Sequence, residues 1–430
     1  MADFQPFRGL LPNLQVVGQL SDFICPPYDV ISPRLQRNLY SRSPYNMVRV
    51  EEGEMLSSDT TDDNRYTRAA QSLRAWLGNG ALVRDPEPAY YLVRHGFPSN
   101  GDLRHRMGLI GAVRLEEYAK GVVLPHEFTQ KAAKEDRRAL MESCRCNVSQ
   151  IMLLYRDSER RLAGLYQQVM ATPPVFSFPD SDGQTYDLWR IVDPSQRELL
   201  RSTLADKPLY MADGHHRYET ALAYRKAHAS QGLTNNAALN FVMAYLVDFE
   251  DPGLAVLPYH RVVKGLDPKS LDKLWSRLEG VFTKEPASQN SNSSPEGLLD
   301  EVEKRGKETL SLGALAPARG GGYLLTLRPE AAPKGLGPKA LFEAWLLEEL
   351  ILRPVLGDSL DHHVDWVHDL KEVGESLARG DGQVAFILKP LPMDLFETIV
   401  SRGERLPRKS TFFYPKLPTG LTINSLEGNL

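Results

Sequence analysis

The stretch YMADGHHRYETALAY, residues 210–224, gathers two imidazoles, a guanidinium and a carboxylate at a single turn of the chain. Its apolar side chains Tyr218, Ala221 and Leu222 recur at helical spacing. This spacing predicts a strand that ends near Met211, followed by a helix that begins near residue 214. The stretch therefore predicts a strand-to-helix turn with ionisable groups at its corner.

The residues of this turn are suited to binding a small anion. Asp213 is expected to be the N-cap of the helix. A helix start offers unpaired backbone N–H groups and partial positive charge, and Gly214 lets a ligand approach the backbone. Arg217 can grip a phosphate with two donors. An ordinary capped helix with surface histidines would show the same spacing, so the spacing alone leaves both interpretations open.

The composition is that of a globular protein. The chain has 430 residues, of which 42% are hydrophobic and 25% charged, values close to the globular average. Its net charge of -4 makes nucleic acid an unlikely partner, because a nucleic-acid-binding surface is usually basic. No apolar stretch has the length of a signal-peptide core or a membrane span, so we expect a cytoplasmic protein without membrane contact.

The three cysteines are Cys25, Cys144 and Cys146, too few for a disulfide framework in a chain of this length. Cys144 and Cys146 form a C-x-C pair of the kind that binds soft metals, but no second Cys or His pair stands at ligand spacing. We interpret them as buried thiols.

Periodicity predicts a mixed α/β fold. Short β-branched and aromatic runs predict strands, and apolar residues at helical spacing predict helices. The predicted strands are residues 89–95, 107–115, 151–155 and 186–192, and the predicted helices of the first half are residues 63–80 and 134–146.

The segment EDPG separates the apolar runs 240–249 and 254–260, which predicts a β-hairpin that closes a first domain. Further along, residues 338–352 have the pattern of an amphipathic helix ended by Pro354. Length and pattern predict two domains, residues 1–265 and a smaller α+β domain at residues 266–430.

Two further segments concentrate ionisable groups. In CPPYDVIS, residues 25–32, two prolines fix the backbone before Tyr28 and Asp29, which is either a way to hold a catalytic carboxylate or a rigid loop in which Asp29 caps the next helix. In LPHEFTQKAAKEDRR, seven of the twelve residues from 126 to 137 are ionisable, and five of these are His126, Glu127, Lys134, Asp136 and Arg137. The second segment predicts either a solvated helix start or a site for phosphate. In such a site Glu127 is a metal ligand or general base, and Lys134 and Arg137 contact the phosphate.

Two segments near the later strands complete the set of candidates. His260 lies at a predicted strand end, where a structural histidine is the common case. Lys409 and Lys416 flank the aromatic segment STFFYP, which either folds over the site or forms an edge strand with solvated lysines.

Seven segments between residues 6 and 421 together resemble the domain-of-unknown-function 1015 family. They are PFRGLLPN, CPPYDVIS, SPYNMVRVE, LPHEFTQKAAKEDR, DGHHRYETAL, EDPGLAVLPYHRVV and KSTFFYPKLPTGL. The turn DGHHRYETAL also resembles the G-x-H-R-x-x-A element of the ParB/sulfiredoxin superfamily, and DGHHR is similar to the Asp-Gly-His-x-Arg turn of free-serine kinases. His215 stands where sulfiredoxin needs a cysteine, so thiol-based sulfinate reduction is not expected.

The resemblance implies a ParB/sulfiredoxin-like first domain that binds nucleotide phosphates. Because the chain has neither a Walker A loop nor a kinase Gly-rich lid, the turn at Asp213 would be the phosphate cradle. The expected activity is transfer of a phosphoryl group from ATP, ADP or pyrophosphate to a small hydroxylated metabolite, with free serine as a candidate acceptor and Mg²⁺ as the metal. The alternative is a ParB-like nucleotide switch without metabolic turnover.

These expectations assign a role to each candidate residue. The catalytic candidates are Asp29, Glu127, Asp213 and His215, with Glu127 also the metal ligand. The phosphate-binding candidates are Gly214, His216, Arg217, Lys134 and Arg137. The substrate-binding candidates are Tyr28, His126, Asn147, His260, Lys409 and Lys416.

Overall fold

The structure is a computed structural model that describes residues 2–99, 101–229, 234–306 and 309–430. It divides into two compact units, which we call unit 1 and unit 2. Unit 1 consists of the residues up to Leu254 together with Pro415–Leu430, and unit 2 is Ala255–Tyr414. The predicted division at residues 265 and 266 differs from this one, because the last segment of the chain packs within unit 1.

The strands and helices are numbered in chain order. The strands are β1 (Phe4–Gln5), β2 (Leu10–Pro12), β3 (Leu82–Arg84), β4 (Tyr90–Ser99), β5 (Asp102–Arg114), β6 (Val123–Leu124), β7 (Cys146–Asn147), β8 (Ile151–Tyr155), β9 (Phe176–Pro179), β10 (Thr185–Ile191), β11 (Leu209–Asp213), β12 (Phe241–Asp248), β13 (Ala255–Leu257), β14 (His260–Val263), β15 (Phe282–Pro286), β16 (Ser311–Ala316), β17 (Gly321–Leu327), β18 (Val364–Val367), β19 (Val384–Ile387), β20 (Phe412–Tyr414) and β21 (Asn424–Ser425). The α-helices are α1 (Leu14–Val17), α2 (Leu20–Phe23), α3 (Pro33–Arg42), α4 (Val48–Glu51), α5 (Arg65–Gly78), α6 (Lys131–Cys144), α7 (Ala163–Met170), α8 (Pro194–Leu204), α9 (His215–Ala227), α10 (Pro268–Val281), α11 (Pro295–Arg305), α12 (Glu343–Leu346), α13 (Arg353–Leu356), α14 (Leu360–His363), α15 (Leu370–Arg379) and α16 (Met393–Ser401).

Unit 1 is built on a mixed sheet of nine strands within the described residues, so the mixed α/β expectation is confirmed. The order is β6-β11-β8-β12-β5-β4-β10-β9, and β1 also pairs with β5. β6 runs parallel to β11, and β8 runs parallel to β12. Because parallel strands end at the same edge, the segments that follow β6 and β11 leave the sheet side by side.

The local predictions for unit 1 hold where periodicity is strong. The four predicted strands appear as β4, β5, β8 and β10, and their residues supply much of the buried core. The two predicted helices appear as α5 and α6. Asn64 caps α5 in a capping box with Thr67, which explains why that helix begins where it does.

The predicted hairpin around EDPG is wrong. β12 is flanked by β5 on one side and β8 on the other, so both of its edges are already paired. β13 pairs instead with β20. EDPG does form a turn, as predicted. A local sequence pattern does not show that both edges of β12 pair with β5 and β8, which are distant in sequence.

Unit 2 has its own six-stranded sheet in the described part of the chain, with the order β15-β17-β16-β19-β14-β18. All of its neighbouring strands are antiparallel. The prediction that Pro354 ends a helix is wrong. Residues Leu347–Leu352 form a π-helical segment between α12 and α13, and Pro354 lies at the start of α13, where a missing N–H is tolerated.

No helix in the described ranges is both long and apolar enough to cross a membrane.

Candidate functional site

The predicted strand-to-helix turn is present. β11 ends at Asp213, and α9 begins at His215. The N-cap is Gly214, not Asp213 as predicted, and its φ of 95° lies in the left-handed region that favours glycine. A side chain at Gly214 would also collide with β8, because a Cβ there would lie 2.6 Å from Cγ2 of Ile151. Both the left-handed backbone and the contact with Ile151 therefore require glycine at the start of α9.

Asp213 is free from capping because its carboxylate holds two cations. Oδ1 lies 2.7 Å from Nζ of Lys416, and Oδ2 accepts a hydrogen bond from Arg217. Burial opposes ionisation, but the charges of Lys416 and Arg217 outweigh it and hold the pKa of the Asp213 carboxyl well below its usual range. Asp213 is therefore an anion whose position is fixed from two sides.

Lys416 joins segments that are far apart in the sequence. Its ammonium contacts the carboxylates of both Asp29 and Asp213, and its side chain is only 10% exposed. Burial alone would lower the pKa of Lys416, but the charges of Asp213 and Asp29 outweigh burial and raise it well above its usual value. The interpretation of Lys416 as a solvated lysine on an edge strand is wrong.

Asp29 does not cap the next helix. Ser32 is the N-cap of α3, and its Oγ accepts a hydrogen bond of 3.2 Å from the backbone N–H of Leu35. The carboxylate of Asp29 is instead directed to Lys416. The rigid CPPYDVIS segment thus places a carboxylate beside the turn that starts α9.

Arg217 is engaged inside the protein. Its Nη1 donates to Oγ of Ser149 at 3.1 Å and to the backbone carbonyl of Gln150, and its Nη2 donates to Asp213. The residue is 8% exposed, so the interpretation of this turn as a solvated surface helix is wrong for Arg217. Both terminal nitrogens of the Arg217 guanidinium therefore donate hydrogen bonds to protein atoms.

Glu51 was not identified from the sequence as a site residue. It is 1% exposed, and its Oε1 accepts hydrogen bonds from the backbone N–H of Tyr28 and from Oγ of Ser149, each at 3.1 Å. It therefore links the Asp29 segment to the Ser149–Arg217 pair. The sequence feature that could have identified Glu51 is its place beside the valines of SPYNMVRVE, since a carboxylate next to apolar residues is expected to be buried and paired.

A small cavity of about 30 Å³ lies beside these groups and is lined by Glu51, Arg137, Ser149 and Arg217 together with apolar side chains. Within the described residues, Oε2 of Glu51 and Nε of Arg217 are buried without a hydrogen-bond partner. A cavity of this size with two such groups suits an ordered water.

The loop of residues 125–130 lies against the start of α9. The backbone N–H of His126 donates to Nε2 of His215 at 3.2 Å, and that of Gln130 donates to Nε2 of His216 at 3.0 Å. Nδ1 of His126 donates to the Met211 carbonyl at 2.7 Å. Both histidines of the turn therefore accept hydrogen bonds from the loop, and the surface-histidine interpretation is wrong for His215, which is 5% exposed.

The remaining charges of this segment are distributed between two places. Oε1 of Glu127 lies 3.9 Å from Nε2 of His126, so the loop also brings Glu127 to this side of the molecule. Lys134 pairs with Glu219 on α9 at 2.9 Å. The structure thus places His126 against His215, and Lys134 holds α6 to α9.

Arg137 lies at the centre of a buried ion-pair network. It is 5% exposed, contacts Glu52 at 3.1 Å and Asp136, and lies over the ring of Tyr28 at 4.0 Å. Burial, together with the charge of Asp29, raises the pKa of Tyr28 to about 12. The solvated-helix interpretation is therefore wrong for Arg137. Its guanidinium holds together Glu52, Asp136 and the ring of Tyr28.

Three predicted substrate contacts have other surroundings. Oδ1 of Asn147 accepts a hydrogen bond of 2.9 Å from the backbone N–H of Met243, inside the unit 1 core. His260 and Lys409 belong to unit 2. There, Nδ1 of His260 accepts a bond from the Leu388 N–H at 3.2 Å, and Lys409 lies 5.1 Å from the centre of the Tyr259 ring.

A model of the family described as "Protein of unknown function (DUF1015)" matches residues 4–335, which is more than half of the chain. The chain belongs to this family. The resemblance predicted from the sequence motifs is thereby confirmed. The match includes Asp29 and the turn at Asp213 but ends before Lys416, so the DUF1015 model does not cover the cation that joins them.

Several solved structures resemble this DUF1015 chain at low identity. A conserved hypothetical protein from Pyrococcus furiosus is 14% identical, with a TM-score of 0.35 and coverage of 71% of this chain and 93% of the other. A free serine kinase in complex with AMP is 15% identical, with a TM-score of 0.34 and coverage of 70% and 89%. SbnI with C-terminal truncation from Staphylococcus aureus is 11% identical, with a TM-score of 0.36 and coverage of 74% and 89%. No curated protein matches the chain.

The described residues of this DUF1015 chain hold no group of three or more His, Cys, Asp or Glu side chains that could bind a metal ion. Burial raises the pKa of Cys144 well above its usual value and that of Cys146 to about 12, so both remain thiols. The carboxylates at the turn still suit Mg²⁺ that arrives with a phosphate ligand, because Mg²⁺ is commonly held by one or two carboxylates together with substrate phosphates.

Proposed function

We propose that unit 1 is a phosphotransferase that moves a phosphoryl group from a nucleotide or pyrophosphate donor to the hydroxyl of a small metabolite. The observation that carries the proposal is the bridge from Asp29 through the buried ammonium of Lys416 to Asp213 at the start of α9. It combines a carboxylate on a rigid segment, a compact cation and the start of a helix. Phosphoryl transfer needs little more from a protein than such groups and Mg²⁺.

In this proposal the donor phosphate binds at the turn of Gly214, His215 and His216, where backbone N–H groups and the helix dipole favour an anion. Lys416 neutralises charge on the transferred group. Asp213 fixes the position of Lys416 and is itself held by Arg217. Arg217 is thus a positioning residue in this proposal, in place of the direct phosphate contact expected from the sequence.

Asp29 is the general base that we propose, because its carboxylate is held by Lys416 and would be freed when Lys416 turns toward phosphate. Glu127 is the second candidate. When bound, Mg²⁺ would offset charge on the donor phosphates, with Asp29 or Glu127 and the phosphates as its ligands. Free serine is the first acceptor to test, because the DGHHR turn is similar to that of free-serine kinases.

The test is a turnover assay with the full chain, Mg²⁺ and each of ATP, ADP and pyrophosphate, against a panel of hydroxylated metabolites that includes serine. Formation of a phosphorylated product, followed by phosphorus NMR, is the expected result. Asp213→Asn and Lys416→Met should abolish it, whereas Lys120→Met, at a lysine that is 60% exposed, should not.

Failure of every donor and acceptor pair to react would overturn the proposal. Nucleotide binding without turnover would instead support the ParB-like nucleotide switch.

A further inference from the structure

Phe128 differs from every other aromatic residue in the described parts of the chain. Among their Phe, Tyr and Trp residues it alone is exposed, with 73% of its surface accessible. Burying a Phe side chain is worth about 1.5–3 kcal/mol relative to leaving it exposed. Most of that stabilisation is absent at Phe128, so the position of this ring in the structure can indicate what it binds.

That location is the loop of residues 125–130. The loop follows β6, and β6 is parallel to β11, so it emerges at the same sheet edge as the turn that begins α9. In α/β proteins, ligands commonly bind outside the carboxyl ends of parallel strands. Phe128 is therefore on the side of unit 1 where the proposed donor binds.

The loop is also held in place on both sides of Phe128. The backbone N–H of His126 donates to His215, and that of Gln130 donates to His216. Thr129, the neighbour of Phe128, donates to Glu219 of α9 at 2.6 Å. Two residues of extended chain span at most about 7 Å, so the backbone of Phe128 stays within that distance of both residues that bind the first turn of α9.

The two features of this surface are the start of α9 and the exposed ring of Phe128. A ligand with a phosphate at the start of α9 and a planar group beside that phosphate would contact both features. Pyrophosphate offers only the first feature, whereas a nucleotide offers both. An aromatic side chain gains from stacking on any base, because every base presents a π face. The fixed position of the loop means that little ordering is needed when the base binds.

We propose that Phe128 stacks on the base of a nucleotide whose phosphates bind at the start of α9, and that the donor is therefore a nucleotide and not pyrophosphate. This inference rests on the proposed function, since it assumes that phosphate binds at that turn. It adds a residue that recognises the base.

The experiment is calorimetric titration of the full chain with Mg²⁺ and either ADP or pyrophosphate, using the parent protein and four variants. Phe128→Ala removes the ring, Phe128→Leu keeps apolar bulk without a ring, and Phe128→Trp keeps a ring. Leu103→Ala is the matched control, because Leu103 is an exposed apolar residue of β5, 54% accessible. Melting temperatures of all variants would report any damage to the fold.

We expect Phe128→Ala to weaken ADP binding about tenfold, the order of effect for removing one base–aromatic stack, without changing pyrophosphate binding. Phe128→Leu should resemble Phe128→Ala, and Phe128→Trp should retain ADP affinity. The control should leave both affinities unchanged.

Three results would overturn the inference while leaving the proposed function intact: unchanged ADP affinity in Phe128→Ala, equal loss of ADP and pyrophosphate binding in that variant, or full ADP affinity in Phe128→Leu. A parent protein that binds neither ligand would overturn both proposals.

Discussion

At the scale of single residues, the site is a chain of alternating charges. Asp29, Lys416, Asp213 and Arg217 follow one another in space, and each charge lies beside one of opposite sign. Lys416 and Arg217 are largely buried, and a buried charge without a partner is costly, so both depend on the carboxylates beside them. Removing one member is expected to affect both the affinity of the site and the stability of unit 1.

Arg217→Lys tests this dependence. A lysine keeps the charge but cannot donate to Ser149, Gln150 and Asp213 in the geometry of a planar fork. We expect a loss of about 2 kcal/mol in the free energy of unfolding, because buried acceptors lose their donors.

Urea unfolding at neutral pH would measure that loss. Arg201→Lys is the control, because Arg201 is 55% exposed and its replacement should change stability by less than about 0.5 kcal/mol. Equal stability of Arg217→Lys and the parent protein would contradict the buried arrangement of Arg217.

At the scale of elements, paired strands place ionisable groups where only one charge state is stable. His95 of β4 lies opposite Arg106 of β5, and its Nδ1 accepts a hydrogen bond of 3.2 Å from Arg106. Its Nε2 donates to Oε1 of Gln184 at 2.8 Å. Burial, together with the charge of Arg106, lowers the pKa of His95 from 6.5 to about 3.

This pKa predicts a loss of stability in acid. Between pH 6.5 and about 3 the unfolded chain binds a proton at His95 that the folded protein does not. The free energy of unfolding must therefore fall as the pH falls through this window, by roughly a few kcal/mol in total.

His95→Gln keeps a donor and an acceptor at this position but does not titrate, so its stability should fall less between neutral pH and about pH 4 than that of the parent protein. Urea unfolding at the two pH values would measure the difference. His105→Gln, at an exposed histidine of β5, should keep the parent's pH dependence. An identical acid loss in His95→Gln and the parent would rule out the assignment.

At the scale of the whole molecule, unit 1 is assembled from two parts of the chain that are separated by all of unit 2. The last segment supplies Lys416 and also pairs β21 with β7. Its Thr419 exchanges backbone hydrogen bonds with Cys25. This segment therefore belongs to both the core and the candidate site.

Deletion of residues 415–430 should prevent unit 1 from folding. The segment buries four apolar side chains: Leu417, Leu421, Ile423 and Leu426. At about 1.5–3 kcal/mol each, their loss is comparable to the roughly 5–15 kcal/mol that stabilises a whole protein.

Near-UV circular dichroism and the melting temperature would report this loss. Deletion of residues 427–430 alone, which keeps all four side chains and Lys416, should leave a cooperative transition. A full deletion variant that melts like the parent protein would contradict the role of this segment.

The sequence by itself determined much of the local structure and, within the candidate site, the turn from β11 to α9. Periodicity predicted β4, β5, β8, β10, α5 and α6, and the DGHHR stretch predicted the turn from β11 to α9. These features depend on neighbouring residues, whose spacing is fixed by the chain itself. The resemblance of several motifs to DUF1015 was confirmed because motifs of this kind are also local.

Only the tertiary structure decided which distant groups meet. The edges of β12 were already paired, so the turn signal at EDPG did not produce a hairpin. Asp213 was free to bind Lys416 because glycine serves as the N-cap, and Glu51 became a site residue only when α4 packed beside Ser149. Hydrogen bonds and ion pairs between residues far apart in sequence depend on the packing of the whole chain, and local patterns carry no record of that packing.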